Sequence, residues 1–146
     1  MKLYVLFGLP ASGKTTLAHR FELERGCKIH CYDDLYETVK DNHTYSEING
    51  TWVHDIRSDL LAGHDVVCDG MCTQSHLRTW LLEQLSDIPC HKTLIAIITP
   101  IETCIERNSK REGISKVPQQ VIEIAAKYMQ PPTKDEGWDE IIVYRD

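Results

Sequence analysis

The sequence has no apolar run that approaches the length a helix needs to cross a bilayer. Its opening, MKLYVLFGLP, is too short and too soon broken by Gly8 and Pro10 to serve as a signal peptide. A cytoplasmic protein with no membrane partner is therefore expected. Positive charge is also short. The chain carries 22 Asp and Glu against 16 Lys and Arg, a formal net charge of −6. That balance argues against a broad, nonspecific nucleic-acid surface but leaves room for a small basic cleft. No internal repeat, low-complexity tract or linker divides the chain, so one domain is expected over residues 1–146. His19, His30, His43, His64, His76 and His91 show no ligand spacing. Disulfides are not expected, because the cytosol keeps thiols reduced. The six cysteines include two C-x₃-C pairs, Cys27 with Cys31 and Cys68 with Cys72. Such pairs could ligate zinc. The competing reading makes Cys31 and Cys68 buried strand residues, a common fate of free cysteine.

What is present begins with GLPASGKTT at Gly8. Gly8 and Gly13 bracket four residues, and Lys14 and Thr15 follow, which is the phosphate-binding pattern G-x-x-x-x-G-K-[ST]. With average residue usage, four fixed positions should match in a chain this long on the order of a few times in a thousand. The flanks fit as well. KLYVLF reads as a buried parallel strand. KTTLAHRFELERG reads as a helix, with Leu17, Phe21 and Leu23 or Glu24 at helical spacing and Gly26 as the stop. The physics asks for these residue types. Glycines let the backbone fold tightly, so that the loop residues Gly8, Pro10, Ala11, Ser12, Gly13, Lys14, Thr15 and Thr16 can surround phosphates at a helix N-terminus with their N–H groups, except at Pro10, which has none. Lys14 supplies a mobile full charge, and Thr15 offers a hydroxyl to Mg²⁺. ATP and Mg²⁺ are the expected cofactors.

Strands and helices then alternate. CKIHCY is a second strand, and DDLYETVK a short helix opened by acidic residues. DNHTYSEING reads as polar and turn-rich. TWVHDIRSDLLAGH is a helix with Trp52, Val53, Ile56, Leu60 and Leu61 on one face. HDVVCDG is a third strand, and TQSHLRTWLLEQLSD a helix capped by Thr73. KTLIAIIT is an apolar strand. PIETCIERNSKREG and VPQQVIEIAAKYMQPP are helices, and DEIIVYR closes the chain as a strand. This βαβ alternation predicts an α/β fold of the P-loop NTPase type, with about five parallel strands and helices on both faces. Ligands in such sheets sit beyond the C-terminal strand ends, where the loop, Asp33 with Asp34, and Asp69 all fall.

Phosphoryl transfer needs a carboxylate to help place Mg²⁺ and another to take the acceptor's proton. Asp69 fits the first duty together with Thr15, and Asp33 or Asp34 fits the second. The segment ERNSKREG offers Arg107, Lys110 and Arg111 at spacings that share one helical face. Arginines there can stabilise charge on the transferred group, and residues 107–118 or so read as a helical lid.

Taken together, these motifs resemble the P-loop kinases of the phage-type polynucleotide kinase family, over nearly the whole chain. GLPASGKTT resembles that family's phosphate loop, YDD its acidic motif, VVCDG its strand-three aspartate, RNSKR with VPQQVI its lid, and EGWDEIIV its closing strand. The resemblance implies Asp33 as general base, Asp69 as an orienting aspartate, and Arg107 and Arg111 on the ATP phosphates. It implies a kinase domain only, acting on a 5′-hydroxyl of DNA or RNA. One position departs from the pattern: Tyr36 stands where the family's arginine grips the acceptor phosphate, and a tyrosine cannot form a charged bidentate clamp. Asp34, Tyr36 and Arg78 are the acceptor-side candidates, with Arg57, Lys40 and His54 as further sources of charge. The competing expectations are a kinase of a small molecule, nucleoside or modified base, and a nucleotide-gated binding module that hydrolyses ATP slowly. No obligate protein partner is inferred.

Overall fold

A computed structural model describes residues 1–70 and 72–145, the side chain of Ile114 apart. Met71 and Asp146, both within the expected domain, lie outside the described residues. The strands are β1 (Lys2–Phe7), β2 (Lys28–Cys31), β3 (Val66–Asp69), β4 (His91–Ile98) and β5 (Glu140–Arg145). The helices are α1 (Lys14–Arg25), α2 (Tyr32–Val39), α3 (Tyr45–Leu61), α4 (Ser75–Gln84), α5 (Ile101–Ser109) and α6 (Gln119–Tyr128). All strand pairs are parallel, in the order β2-β3-β1-β4-β5.

β1 shows why the sheet needs two covered faces. Leu3, Val5 and Phe7 enter one core with Trp52, Ile56 and Leu60 of α3 and Leu81 of α4. Tyr4 and Leu6 enter another with Leu17 and Phe21 of α1. Successive side chains point to opposite faces, so a strand buried on both sides must be apolar throughout. Cys68 is a fully buried residue of β3, whereas Cys31 at the end of β2 is half-buried. A third, smaller cluster joins Leu9 and Ala11 of the phosphate loop to Cys104 of α5 and Ile122 of α6.

Several local expectations are corrected. DNHTYSEING is not a turn-rich loop from end to end. α3 begins at Tyr45, behind a capping box in which Glu47 N–H donates to Thr44 Oγ1 (3.2 Å) and Thr44 N–H to the Glu47 carboxylate (2.8 Å). Leu61 is 65% exposed and Leu23 84% exposed, so neither belongs to the apolar faces assigned to them. The N-cap of α4 is Gln74 rather than Thr73, without a side-chain cap. α5 stops at Ser109, so Arg111 does not share a helical face with Arg107.

Candidate active site

β1 delivers Gly8 to the C-terminal edge of the sheet. Its backbone φ is not in the left-handed region, so the case for glycine there is proximity. A Cβ on Gly8 would lie 2.6 Å from Ser12 Oγ and 3.0 Å from the Ile97 carbonyl oxygen. Gly13, at φ 105°, does need the left-handed region as the loop turns into α1. Ala11 adopts φ 63°, which costs a residue with a Cβ roughly 1–2 kcal/mol. Its packing in the small cluster with Cys104 and Ile122 holds it there. The Ser12 carbonyl accepts from Thr99 Oγ1 (2.9 Å) and Arg107 Nη1 (3.4 Å), tying the loop to the residue that follows β4 and to α5. Ser12 Oγ is a buried polar atom that makes no hydrogen bond within the described residues. A tight loop with a polar atom left over and a helix N-terminus behind it fits an oxyanion. Lys14 Nζ donates to the Gly8 carbonyl at 2.8 Å, so its charge already overhangs the loop.

The metal-side residues meet. Thr15 Oγ1 donates to Asp69 Oδ2 at 2.9 Å, and Asp69 is only 4% exposed. A hydroxyl and a carboxylate oxygen this close suit Mg²⁺, which keeps several waters and borrows phosphate oxygens. Among the described residues no cluster of three or more His, Cys, Asp or Glu is built to hold a metal unaided.

Asp33 reaches the same cleft from the first turn of α2. Gly70, at φ 99°, makes this possible, since a Cβ there would come within 3.1 Å of Tyr32 Cβ. Burial pushes the Asp33 carboxyl above its ordinary value, Lys14 pulls it down, and Asp69, Asp34 and Glu37 add to the rise. Its surface stays open to the cleft. Asp34, Tyr36 and Glu37 line the cavity beside it. The Tyr36 ring stacks on Tyr45 at 5.7 Å between centroids, with the hydroxyls 3.3 Å apart.

Two cavities meet at the phosphate loop. One, of about 520 Å³, is lined by Thr16, Arg20, Arg107, Tyr144 and Arg145. The other, of about 510 Å³, is lined by Pro10, Lys14, Thr15, Asp33 and Asp69. Ala11, Ser12, Gly13 and Arg111 belong to both. Arg111 arrives on a loop, not on a helix. Asn108, a buried residue that sequence reasoning passed over, makes this loop: its Nδ2 donates to the Val117 carbonyl (2.7 Å) and its Oδ1 accepts from Val117 N–H (3.0 Å). Lys110 turns away to Glu106 (3.3 Å).

The structure removes Arg78 from the acceptor side. Its guanidinium is wholly buried between α4 and the residues before β5, donating to both carboxylate oxygens of Glu136 (2.9 and 2.8 Å) and to the carbonyls of Cys72 (3.1 Å) and Pro131 (3.3 Å). Arg57 is held bidentately by Asp87, and Lys40 by Glu37. His54 is exposed on α3 beside Asp55. None of these four lines the cleft.

A phosphate loop, with its Thr15 hydroxyl bonded to the aspartate that ends the third strand of a parallel sheet, agrees with the family comparison. The model of an AAA domain family matches residues 3–132. The chain belongs to that family. Solved structures share its α/β, P-loop NTPase-like fold. A sugar kinase from a Janibacter species aligns with a TM-score of 0.73 at 21% identity, over 99% of this chain and 85% of that one. Kti12 of Chaetomium thermophilum, in complex with ADP-AlF3, aligns at 0.71 and 16% identity, over 98% and 88%. The APS kinase CysC of Mycobacterium tuberculosis, in complex with AMPPNP and APS, aligns at 0.65 and 19% identity, over 97% and 87%. At these identities the likeness carries the fold alone. No curated protein sequence matches the chain. Within this AAA-domain frame, no helix of the described residues is long and apolar enough to cross a membrane.

Proposed function

We propose that the protein is an ATP-dependent phosphotransferase that moves the γ-phosphoryl group to an acceptor hydroxyl. The observation that carries this reading is Asp33, a carboxylate with a raised pKa in the same cavity as Lys14, Thr15 and Asp69. A module that only gated on nucleotide has little use for a base on the far wall. In the reaction, loop N–H groups and Lys14 hold the phosphates. Thr15 and Asp69 would hold Mg²⁺, which supplies charge neutralisation for the phosphate oxygens. Asp33 accepts the hydroxyl proton as the oxygen attacks phosphorus. Arg107 and Arg111 meet the charge on the transferred group, and residues 107–118 serve as the lid over it. The kinases among the structural neighbours support the class of reaction.

For the acceptor, the resemblance to polynucleotide kinases points to a 5′-hydroxyl, and the likeness to sugar and APS kinases points to a small molecule. Tyr36 at the clamp position, with no arginine behind it, favours the small molecule. The test is transfer of labelled γ-phosphate from ATP to a panel of 5′-hydroxyl DNA and RNA, 3′-mononucleotides, nucleosides and polyols, beside a water-only control. Label on any hydroxyl supports the reading. Label released only as inorganic phosphate across a broad panel refutes it.

A further inference from the structure

The two cavities at the phosphate loop carry opposite charge. Arg20, Arg107, Arg111 and Arg145 line the first. In the second the carboxylates are Asp33, Asp34, Glu37 and Asp69, and the cations are Lys14 and Arg111. Both cations stand at the loop, where a triphosphate would take them up. Asp69 goes with the metal and Asp33 with the proton. What remains to face an acceptor is Asp34 and Glu37. The Asp34 carboxylate makes no hydrogen bond or ion pair with any described residue, and Lys40 touches Glu37 from outside the cavity. Beside them lie Tyr36, stacked on Tyr45, and an apolar wall of Val117, Val121 and Ala125. Val121 is 42% exposed, an apolar side chain left without cover at the cleft.

We infer that the acceptor is a small hydroxylated molecule that bears a protonated amine and no phosphate or carboxylate. Its amine meets Asp34 and Glu37, and its apolar face packs on Tyr36 and Val121. This rests on the phosphotransferase reading above. In the step, the acceptor oxygen forms a bond to the γ-phosphorus while the bond from that phosphorus to the bridging oxygen breaks. ADP leaves with the bonding pair, and the hydroxyl proton passes to Asp33. A polynucleotide 5′ end or a sugar phosphate would instead bring its anion against two carboxylates, with Lys14 and Arg111 already taken up by the triphosphate, and like charges brought together disfavour binding.

Binding can be read apart from chemistry. The Asp33→Asn protein, saturated with Mg·AMPPNP, is dialysed against labelled kanamycin, fully N-acetylated kanamycin, 3′-AMP and a 5′-hydroxyl oligonucleotide. The amine-bearing probe is expected to bind at least about tenfold tighter than its acetylated form, the worth of one favourable charge contact, and the anionic probes weakest. Adding Asp34→Asn and Glu37→Gln should erase the amine preference. Anionic probes that bind as well as kanamycin, or kanamycin that does not bind, would overturn the inference. If kanamycin binds yet the parent protein transfers label to no hydroxyl, the phosphotransferase reading fails while the acceptor chemistry stands.

Discussion

Replacing Asp33 with Asn keeps the shape of the side chain and removes its ability to take a proton. A positioned general base contributes about 10²- to 10⁴-fold to rate, which is about 3–5 kcal/mol of barrier at 1.36 kcal/mol per decade. Asp33→Asn is therefore expected to lose transfer by that factor. Mg·ATP affinity should hold or tighten, because a negative charge beside Lys14 has gone. Stability moves the other way. The fold raises the Asp33 pKa, chiefly by burial, with Asp69, Asp34 and Glu37 adding to it against Lys14. A carboxyl raised on folding contributes stability below its unfolded value, and that contribution is lost as pH rises through the folded one. At neutral pH the charge is thus a cost to the fold, and the Asn variant should be at least as stable as the parent. The acid limb of kcat/KM should lie above the usual aspartate value of about 3.9 and disappear in the variant. The assays are γ-label transfer from pH 4 to 8, nucleotide binding by calorimetry, and thermal melting. Transfer within a few-fold of the parent, or a rate loss matched by a clear fall in Tm, would refute the assignment.

Other substitutions test separate parts. Lys14→Ala should sharply reduce turnover and weaken Mg·ATP binding by calorimetry, since its ammonium is the loop's mobile charge; unchanged binding would argue against the phosphate reading. Arg111→Ala should slow transfer by about 10³-fold if it acts as a charge-stabilising arginine, and a rate equal to the parent's would sink the lid. Glu136→Gln strands a buried guanidinium and should cost about 3–5 kcal/mol in urea unfolding, whereas a loss below 1 kcal/mol would mean that the pair is not closed to water. Thr44→Ala should cost about 1 kcal/mol by the same measurement, through loss of the capping box on α3.

The parts of the molecule ruled by short-range pattern were legible. β1 must be apolar on both faces, and the loop after it carries its glycines in fixed spacing, so strand, loop and helix could be read together. Thr44 and Glu47 also carried a readable signal, the T-x-x-E of a capping box, but the surrounding Asn, Gly and Ser made the segment look like a turn. The end of α5 was not legible. It is set by Asn108 reaching Val117, a contact made across a loop, and this is what takes Arg111 off the helical face and into both cavities. Arg78 was hidden for a similar reason. Along the chain it looks like a cation open to the acceptor, and its counter-charge stands 58 residues away.

That buried pair bears on where this domain can be cut. The family match stops at residue 132, and the carboxylate that neutralises Arg78 is at Glu136, just past it. A recombinant fragment trimmed to the matched span would keep the cation in the dry space between α4 and the sheet and discard its only counter-ion among the described residues. It would also lose Trp138, which joins the core beneath and donates to the same Glu136. A boundary drawn at the matched span would thus leave a buried cation unneutralised, which is strongly destabilising, and gene fusions should enter after β5, not before it.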